Sequence, residues 1–289
     1  MGSEHSFILV GGPASGKSNY LGGLWLALEH QDCKLRKDGD PDDIQYIEGI
    51  SEYLLRGKFA PRSNEEVDNG GRDLTIPLCQ ADSGNNASAN LIIPDIRGEI
   101  WKKAVETTEL PKQWMERLKV SRGALLFLRV HSPENVIPQD WVTARDILKI
   151  DETTEFDANK IPTQVAMCEL VRFMEAELAS DLEGVRPRVG IVITAWDRLD
   201  RDTSKAGPRS YLKKDFPLLF GRLHDVEGID IEVFATSAVG GDLEADAAFA
   251  EKYKNSDHAG YAIQDQKNIK EDLTLPIAWL MEGFNLSDE

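Results

Sequence analysis

The sequence is poor in positive charge: 33 Lys and Arg residues stand against 50 Asp and Glu in 289 residues, which gives a formal net charge of -17. Broad contact with a nucleic-acid backbone or with an anionic membrane surface requires clustered Lys and Arg. The composition therefore argues against nucleic acid as a partner.

Cysteine is also scarce, and long apolar runs are missing. The three cysteines, Cys33, Cys79 and Cys168, lie far apart and follow no metal-binding spacing. An odd number of cysteines without a signal peptide is typical of a reducing compartment. No apolar run approaches the roughly 18 residues of a membrane span. We therefore expect a cytoplasmic protein without a membrane span.

Short apolar segments alternate with helical patterns along the whole chain. Six segments have the length and composition of strands, and the residues between them carry apolar side chains at helical spacing. This alternation predicts an α/β fold with a mostly parallel six-stranded sheet and helices on both faces. We expect a single domain, 1–289, with insertions at 34–72, 132–162 and 240–271. The six strand segments are FILV (7–10), RDLTIPLCQAD (72–82), NLIIPD (90–95), GALLFLRVH (123–131), RVGIVITAWD (188–197) and IDIEVFATSA (229–238).

One helix has a clear apolar face, and two helical regions contain a breaking proline. Pro111 interrupts the material from Trp101 to Val120, and Pro217 interrupts the segment from 210 to 226. The buried face predicted for the segment 164–178 consists of Val165, Cys168, Val171, Met174 and Leu178.

A glycine-rich loop follows the first apolar segment. Gly11, four further residues and then Gly16-Lys17-Ser18 form the pattern GxxxxGK[ST] between a strand and a helix. Glycines let successive backbone N–H groups converge on phosphate oxygens, Lys17 supplies a charge, and Ser18 a hydroxyl for Mg²⁺. The alternative is a glycine-rich turn with an incidental Gly-Lys pair. The candidate phosphate-binding residues are Gly11, Gly12, Ser15, Gly16, Lys17, Ser18 and Asn19.

The third strand ends in LIIPDIRGEIW, which contains Asp95, Gly98 and Glu99. An Asp at the carboxyl end of a strand beside a phosphate-binding loop can hold Mg²⁺ through water. Gly98 can offer its backbone N–H to a γ-phosphate. Glu99 can orient the attacking water or act as a base, and a solvent-facing carboxylate is the alternative.

The fifth strand ends in TAWD, Thr194 to Asp197, and the sixth in TSA, where Ser237 and Ala238 follow Thr236. In this order and at these strand ends, the two segments resemble the guanine-reading elements of Ras-like GTPases. The resemblance implies that Asp197 accepts hydrogen bonds from N1 and N2 of guanine. An Asp that merely caps a helix is the alternative.

The resemblance has one clear departure. Ala195 stands where the family has a Lys that lies along the base and ribose, and Trp196 is our candidate for stacking on the base in its place. The loop of Ser237 and Ala238 would meet O6 of guanine through its backbone.

Taken together, GGPASGKSNYL, DIRGE, TAWD and TSA resemble a TRAFAC-type GTPase and, more narrowly, the bacterial double-GTPase group. This resemblance implies a Ras-like fold, GTP or GDP with Mg²⁺, and a protein partner that senses or accelerates hydrolysis. It is consistent with a slow GTPase that acts as a molecular switch in a conflict or signalling system.

The segment RGKFAPRSNEE, 56–66, lies where such a switch is expected. Within it, Ser63 is our candidate for a hydroxyl ligand of Mg²⁺ and Arg62 for a catalytic cation. A plain solvated loop explains the same residues.

Two other classes remain open. A P-loop ATPase or a nucleotide or polynucleotide kinase fits the loop, although residues 240–289 contain no Arg from which a kinase lid is usually built. The other class is a scaffold protein that binds nucleotide without hydrolysing it.

Overall fold

A nine-stranded sheet runs through the described part of the molecule in the order β2-β3-β4-β1-β5-β6-β7-β8-β9. The computed structural model describes residues 5–29, 33–60, 74–81, 88–93, 98–137, 161–178, 186–255, 260–264, 269–270 and 272–282. The strands are β1 (His5–Val10), β2 (Leu35–Lys37), β3 (Leu74–Gln80), β4 (Ser88–Ile93), β5 (Gly123–Arg129), β6 (Arg188–Thr194), β7 (Asp230–Ser237), β8 (Tyr261–Ile263) and β9 (Ile269–Lys270).

Helices cover both faces of this sheet. Those described are α1 (Lys17–Ala27), α2 (Ile44–Leu55), α3 (Glu99–Thr107), α4 (Lys112–Val120), α5 (Thr163–Glu177), α6 (Arg201–Ala206), α7 (Pro208–Asp215), α8 (Pro217–His224), α9 (Ala247–Lys254) and α10 (Leu275–Glu282), with a 3₁₀ turn at Trp196–Arg198. None of the helices in the described ranges is long and apolar enough to cross a membrane.

Five parallel strands, β4, β1, β5, β6 and β7, form the centre of the sheet, and antiparallel strands extend both edges. Side chains alternate between the faces because a strand repeats every two residues. In β5, Leu126 and Leu128 pack under the face covered by α3 to α5, whereas Leu125 and Phe127 pack under α1, α2 and α10. Burial on both faces explains why the central strands are continuous apolar runs.

The fold class is the one predicted, but the strand count was too low. All six predicted strands are present, and β2, β8 and β9 are additional. These three are only two or three residues long, so they carry too few residues to show an alternating pattern. They lie within 34–72 and 240–271, two of the three expected insertions, and they extend the main sheet at its two edges.

The predicted breaks at two prolines are present, and the predicted buried face of α5 is correct in part. The breaks at Pro111 and Pro217 separate α3 from α4 and α7 from α8, as expected. On the predicted face of α5, Val171, Met174 and Leu178 are buried as expected, whereas Val165 is 42% exposed. The buried stripe is wider than predicted and includes Met167, Leu170 and Phe173, because α5 packs both on the sheet and on neighbouring helices.

Candidate functional site

The loop between β1 and α1 is fixed at its far end by the side chain of Thr194, which lies against the backbone of Gly16. Gly16 has φ +91° and precedes α1; a Cβ on it would lie 2.4 Å from Oγ1 of Thr194 and 2.9 Å from its Cβ. The Thr194 hydroxyl donates a 2.8 Å hydrogen bond to the carbonyl of Ser15. Thr194, which we selected as part of a base-reading motif, therefore also ties β6 to the phosphate-binding loop.

Lys17 lies inside the loop and is 3% exposed. Its Nζ donates to the carbonyls of Gly11 and Gly12, at 2.6 and 3.0 Å, and to Oγ of Ser15 at 3.3 Å. The loop thus holds the ammonium group at its own centre, at the N-terminus of α1, where the helix dipole also favours an anion. Ser18, the next residue of α1, is half-buried beside it.

Neither the backbone conformation of Gly12 nor its neighbours in the protein require glycine at this position. A Cβ at Gly12 would meet nothing within 4 Å, and its φ is not positive. The left-handed residue in this part of the loop is instead Ala14, with φ +54°.

A second glycine brings the start of α3 against the same loop. Gly98 has φ +79°, and a Cβ on it would lie 2.4 Å from the carbonyl carbon of Gly12 and 2.6 Å from the carbonyl oxygen of Gly11. Glu99, the first residue of α3, is exposed. Asp95 lies outside the described residues, between the end of β4 and Gly98.

A cleft opens next to the loop, at the edge where the parallel strands β5, β6 and β7 end. Its cavity volume is about 40 Å³, and it is partly open to solvent. Such an edge is the usual ligand-binding side of a parallel α/β sheet. The lining residues are Gly16, Asn19, Tyr20, Phe59, Arg129, Thr194, Ala195, Asp197, Arg198, Thr236, Ser237, Ala238 and Val239.

Asp197 and Ser237 meet in this cleft. The Ser237 hydroxyl is fully buried; it accepts a 2.9 Å hydrogen bond from the N–H of Gly240 and bonds to the carboxylate of Asp197. Burial raises the pKa of Asp197 above its usual range, and the Ser237 hydrogen bond opposes that rise. Ser237 therefore positions a half-buried carboxylate that remains accessible from the cleft.

The expectation that Trp196 stacks on a base is wrong for this structure. Its side chain is fully buried, and its ring packs edge to face on Tyr211 with centroids 5.5 Å apart. It belongs to the core on the α5 to α8 side of the sheet, and it does not line the cleft. Ala195, which does line the cleft, has φ +57°, and this left-handed residue turns the chain so that Trp196 points inward.

Sequence reasoning missed two arginines of the cleft, Arg129 and Arg198. Arg198 pairs with Asp242, its Nε 3.8 Å from a carboxylate oxygen, and this links the turn after β6 to the loop after β7. Arg129 is the last residue of β5. A charged residue at the end of an otherwise apolar strand was the signal that could have identified it.

Asn19 lies in the cleft, but its side chain already has a partner in the chain. Its Oδ1 accepts a 2.9 Å hydrogen bond from the N–H of Ala60, and Phe59 lines the cleft beside it. The chain therefore passes the cleft immediately before residue 61. The switch candidates Arg62 and Ser63 lie outside the described residues.

A phosphate-binding loop and an adjoining carboxylate-bearing cleft at the carboxyl edge of a parallel sheet define a P-loop nucleotide-binding protein. The family follows from the sequence as a whole. A model of the Double-GTPase 1 family matches residues 8–280, and the chain belongs to that family. The resemblance inferred from the motifs is confirmed, and the nucleotide that this family binds is GTP.

Among curated protein sequences, none matches the chain. Among solved structures, the chain is similar to the S. cerevisiae Ski7 GTPase-like domain bound to GDP and inorganic phosphate, with 13% identity and a TM-score of 0.36. That match covers 88% of this chain and 50% of the Ski7 chain. A signal recognition particle receptor SRb-GTP/SRX complex from Chaetomium thermophilum matches with 11% identity and a TM-score of 0.35, over 87% of this chain and 98% of that one.

Proposed function

We propose that this protein is a cytoplasmic GTP-dependent switch that hydrolyses GTP slowly by itself and acts through a protein partner. The observation that carries the choice of guanine is the Asp197 carboxylate, held by Ser237 inside the cleft that begins at the phosphate-binding loop. A nucleotide whose phosphates lie in the loop would direct its base along this cleft.

Asp197 would select guanine through the pattern of donors on the base. A carboxylate only accepts hydrogen bonds, and guanine presents two adjacent donors at N1 and N2. Adenine has an acceptor at N1, so its edge would leave the half-buried carboxylate unsatisfied. Ala238, next to Ser237 at the cleft wall, would meet O6 of guanine through its backbone.

The loop residues fit a Mg²⁺ ion together with the phosphates. Mg²⁺ prefers oxygen ligands and usually binds through one or two protein groups plus phosphate oxygens. Ser18 supplies a hydroxyl at the start of α1, and the described ends on either side of Asp95, Ile93 and Gly98, lie at the same sheet edge. Ser63 stays our candidate for the switch ligand, and the ion would neutralise charge on the β- and γ-phosphates.

Hydrolysis would then depend on how the attacking water and a positive charge are positioned at the γ-phosphate. Glu99 begins α3 directly after Gly98 and is exposed, which leaves it free to orient water at a γ-phosphate bound by the loop. Arg62 is our candidate for a cation supplied by this chain, and a partner that contacts residues 57–66 would complete the site. Slow turnover alone and faster turnover with the partner are expected if the partner supplies or positions a catalytic group.

The guanine assignment is tested by Asp197→Asn. The variant should bind GTP about 10- to 100-fold more weakly, since it loses hydrogen bonds to a charged acceptor. It should gain affinity for xanthosine triphosphate, because the Asn amide can donate to the second carbonyl of xanthine. Calorimetric titration of both nucleotides measures this, with the exposed Asp225→Asn as the matched control. Unchanged GTP affinity in Asp197→Asn would refute the role of this carboxylate.

A further inference from the structure

In the proposed base-binding cleft, the carboxylate of Asp197 would bind the edge of the base. A further side chain is needed to pack on the flat face of the base. Ala195 contributes only a methyl group there, and Trp196 is buried in the core. Another side chain of the cleft must therefore pack on the face of the base.

We propose that Arg129 covers the face of the guanine base in the nucleotide cleft. The proposal rests on the GTP site proposed above. It assigns Arg129 as a base-binding residue that stands in for the absent lysine at 195.

The sheet register brings Arg129 next to Ala195. Arg129 of β5 is the direct partner of Thr194 of β6, the residue before Ala195. Neighbouring strands lie about 4.8 Å apart, so the Arg129 side chain starts one strand away from the position that lacks a long side chain.

The alternation along β5 places Arg129 on the correct side of the sheet. Leu125 and Phe127 lie on the face that α1 covers, and Arg129 follows them with the same period of two. The phosphate-binding loop leads into α1, and Phe127 contacts Tyr20 of that helix with ring centroids 5.1 Å apart. Arg129 therefore lines the cleft from the same side as the phosphate site.

The charge of Arg129 acts on Asp242 in the loop that follows β7. Although partial burial of Asp242 opposes the change, the N–H groups of Ala245 and Glu244 and the charges of Arg198 and Arg129 hold the pKa of Asp242 below its usual range. Arg129 and Asp242 are therefore close enough for their charges to interact, which agrees with the position of Arg129 in the wall of the cleft.

The chemistry of a guanidinium suits this position. It is planar, weakly hydrated and permanently charged, so it can stack on a π face while a carboxylate binds the edge. Arg198 suits it less, because its side chain is 42% exposed and it follows Asp197 in the turn after β6, whereas Arg129 lies on the strand beside Thr194.

The test compares a nucleotide with a ligand that has no base. Arg129→Met keeps most of the aliphatic stem and removes the charged plane. Titration with GDP should show about a 10-fold loss of affinity. Binding of inorganic triphosphate, which fills only the phosphate loop, should change less than about twofold, and Arg172→Met on the exposed surface of α5 should change neither.

A second substitution, Ala195→Lys, gives an independent readout, and in the wild-type background it keeps the test valid if Arg129→Met folds poorly. In folded Arg129→Met, adding Ala195→Lys should restore GDP affinity, since Lys and Ala carry the same Cβ at the left-handed φ of residue 195. In the wild-type background, Ala195→Lys should change GDP affinity little, because Arg129 already covers the face.

Three results would overturn the proposal: an equal loss of GDP and triphosphate binding in Arg129→Met, no loss of either, or a large gain in GDP affinity from Ala195→Lys in wild type. If wild-type protein does not bind GDP at all, the proposed function itself fails, and that outcome is distinct from these three.

Discussion

Replacing Lys17 by Ala is expected to lower the affinity for Mg²⁺-GTP by at least about 100-fold. Charge-assisted hydrogen bonds to phosphate contribute roughly 1.5–3 kcal/mol each, and the buried Lys17 ammonium can reach two phosphates from the centre of the loop. In the structure the three donors of this ammonium bond to the carbonyls of Gly11 and Gly12 and to Oγ of Ser15, so Lys17 must exchange some of these bonds for phosphate oxygens when a nucleotide binds.

Calorimetric titration measures the effect, and a thermal melt confirms that the variant is folded. Lys112→Ala is the matched control, because the Lys112 side chain on α4 is 84% exposed and lies outside the cleft. If Lys17→Ala is folded and binds GTP as tightly as wild type, the loop is not the phosphate site.

Replacing Gly98 by Ala is expected to destabilise the protein by about 2 kcal/mol or more and to impair the response to the γ-phosphate. The new Cβ would lie 2.4 Å from the backbone of Gly12, and φ +79° is unfavourable for a residue with a side chain. Either the loop or the start of α3 must move, and both belong to the nucleotide site.

Hydrogen exchange in GDP and in a non-hydrolysable GTP analogue measures this response. In wild type, the analogue should protect residues 57–66 and 95–99, because a γ-phosphate and Mg²⁺ provide contacts that GDP lacks. Gly98→Ala should lose most of that protection.

The matched control is Gly221→Ala in α8. A Cβ there meets nothing within 4 Å, and the change should stabilise the helix by about 0.5–1 kcal/mol. Wild-type stability and unchanged protection in Gly98→Ala would show that α3 does not sense the nucleotide through this contact.

The phosphate-binding half and the base-binding half of the site differ in how well the sequence predicts them. The phosphate-binding loop could be recognised from the sequence, because the spacing of Gly11, Gly16 and Lys17 is local, and the structure places Gly98 against the same loop. That these residues bind phosphate stays a prediction.

The base half depends on which strands are neighbours and on which way a side chain turns, and neither is a local property. Trp196 and Arg129 show the difference. A tryptophan next to Asp197 looked suited to stacking, but the left-handed Ala195 turns it into the core. Arg129 lies more than 60 positions away in the sequence and reaches the cleft only through the pairing of β5 with β6.

Strand prediction was limited in the same way, because local sequence patterns do not reveal elements that depend on tertiary pairing. Long, fully buried strands were recognisable from their apolar runs, whereas β2, β8 and β9 owe their existence to the hydrogen-bonding edges of the strands beside them. Tertiary pairing determines such short edge strands, and their own residues carry little of the signal.

The central claim, a guanine-selective site built from the phosphate loop and Asp197, is tested most directly by titrating purified wild-type protein with GTP and with ATP in the presence of Mg²⁺. The account predicts that GTP binds at least about 100-fold more tightly than ATP, because a half-buried carboxylate accepts two hydrogen bonds from guanine and none from the matching edge of adenine. Equal affinities for the two nucleotides would contradict it and would favour a P-loop ATPase or kinase.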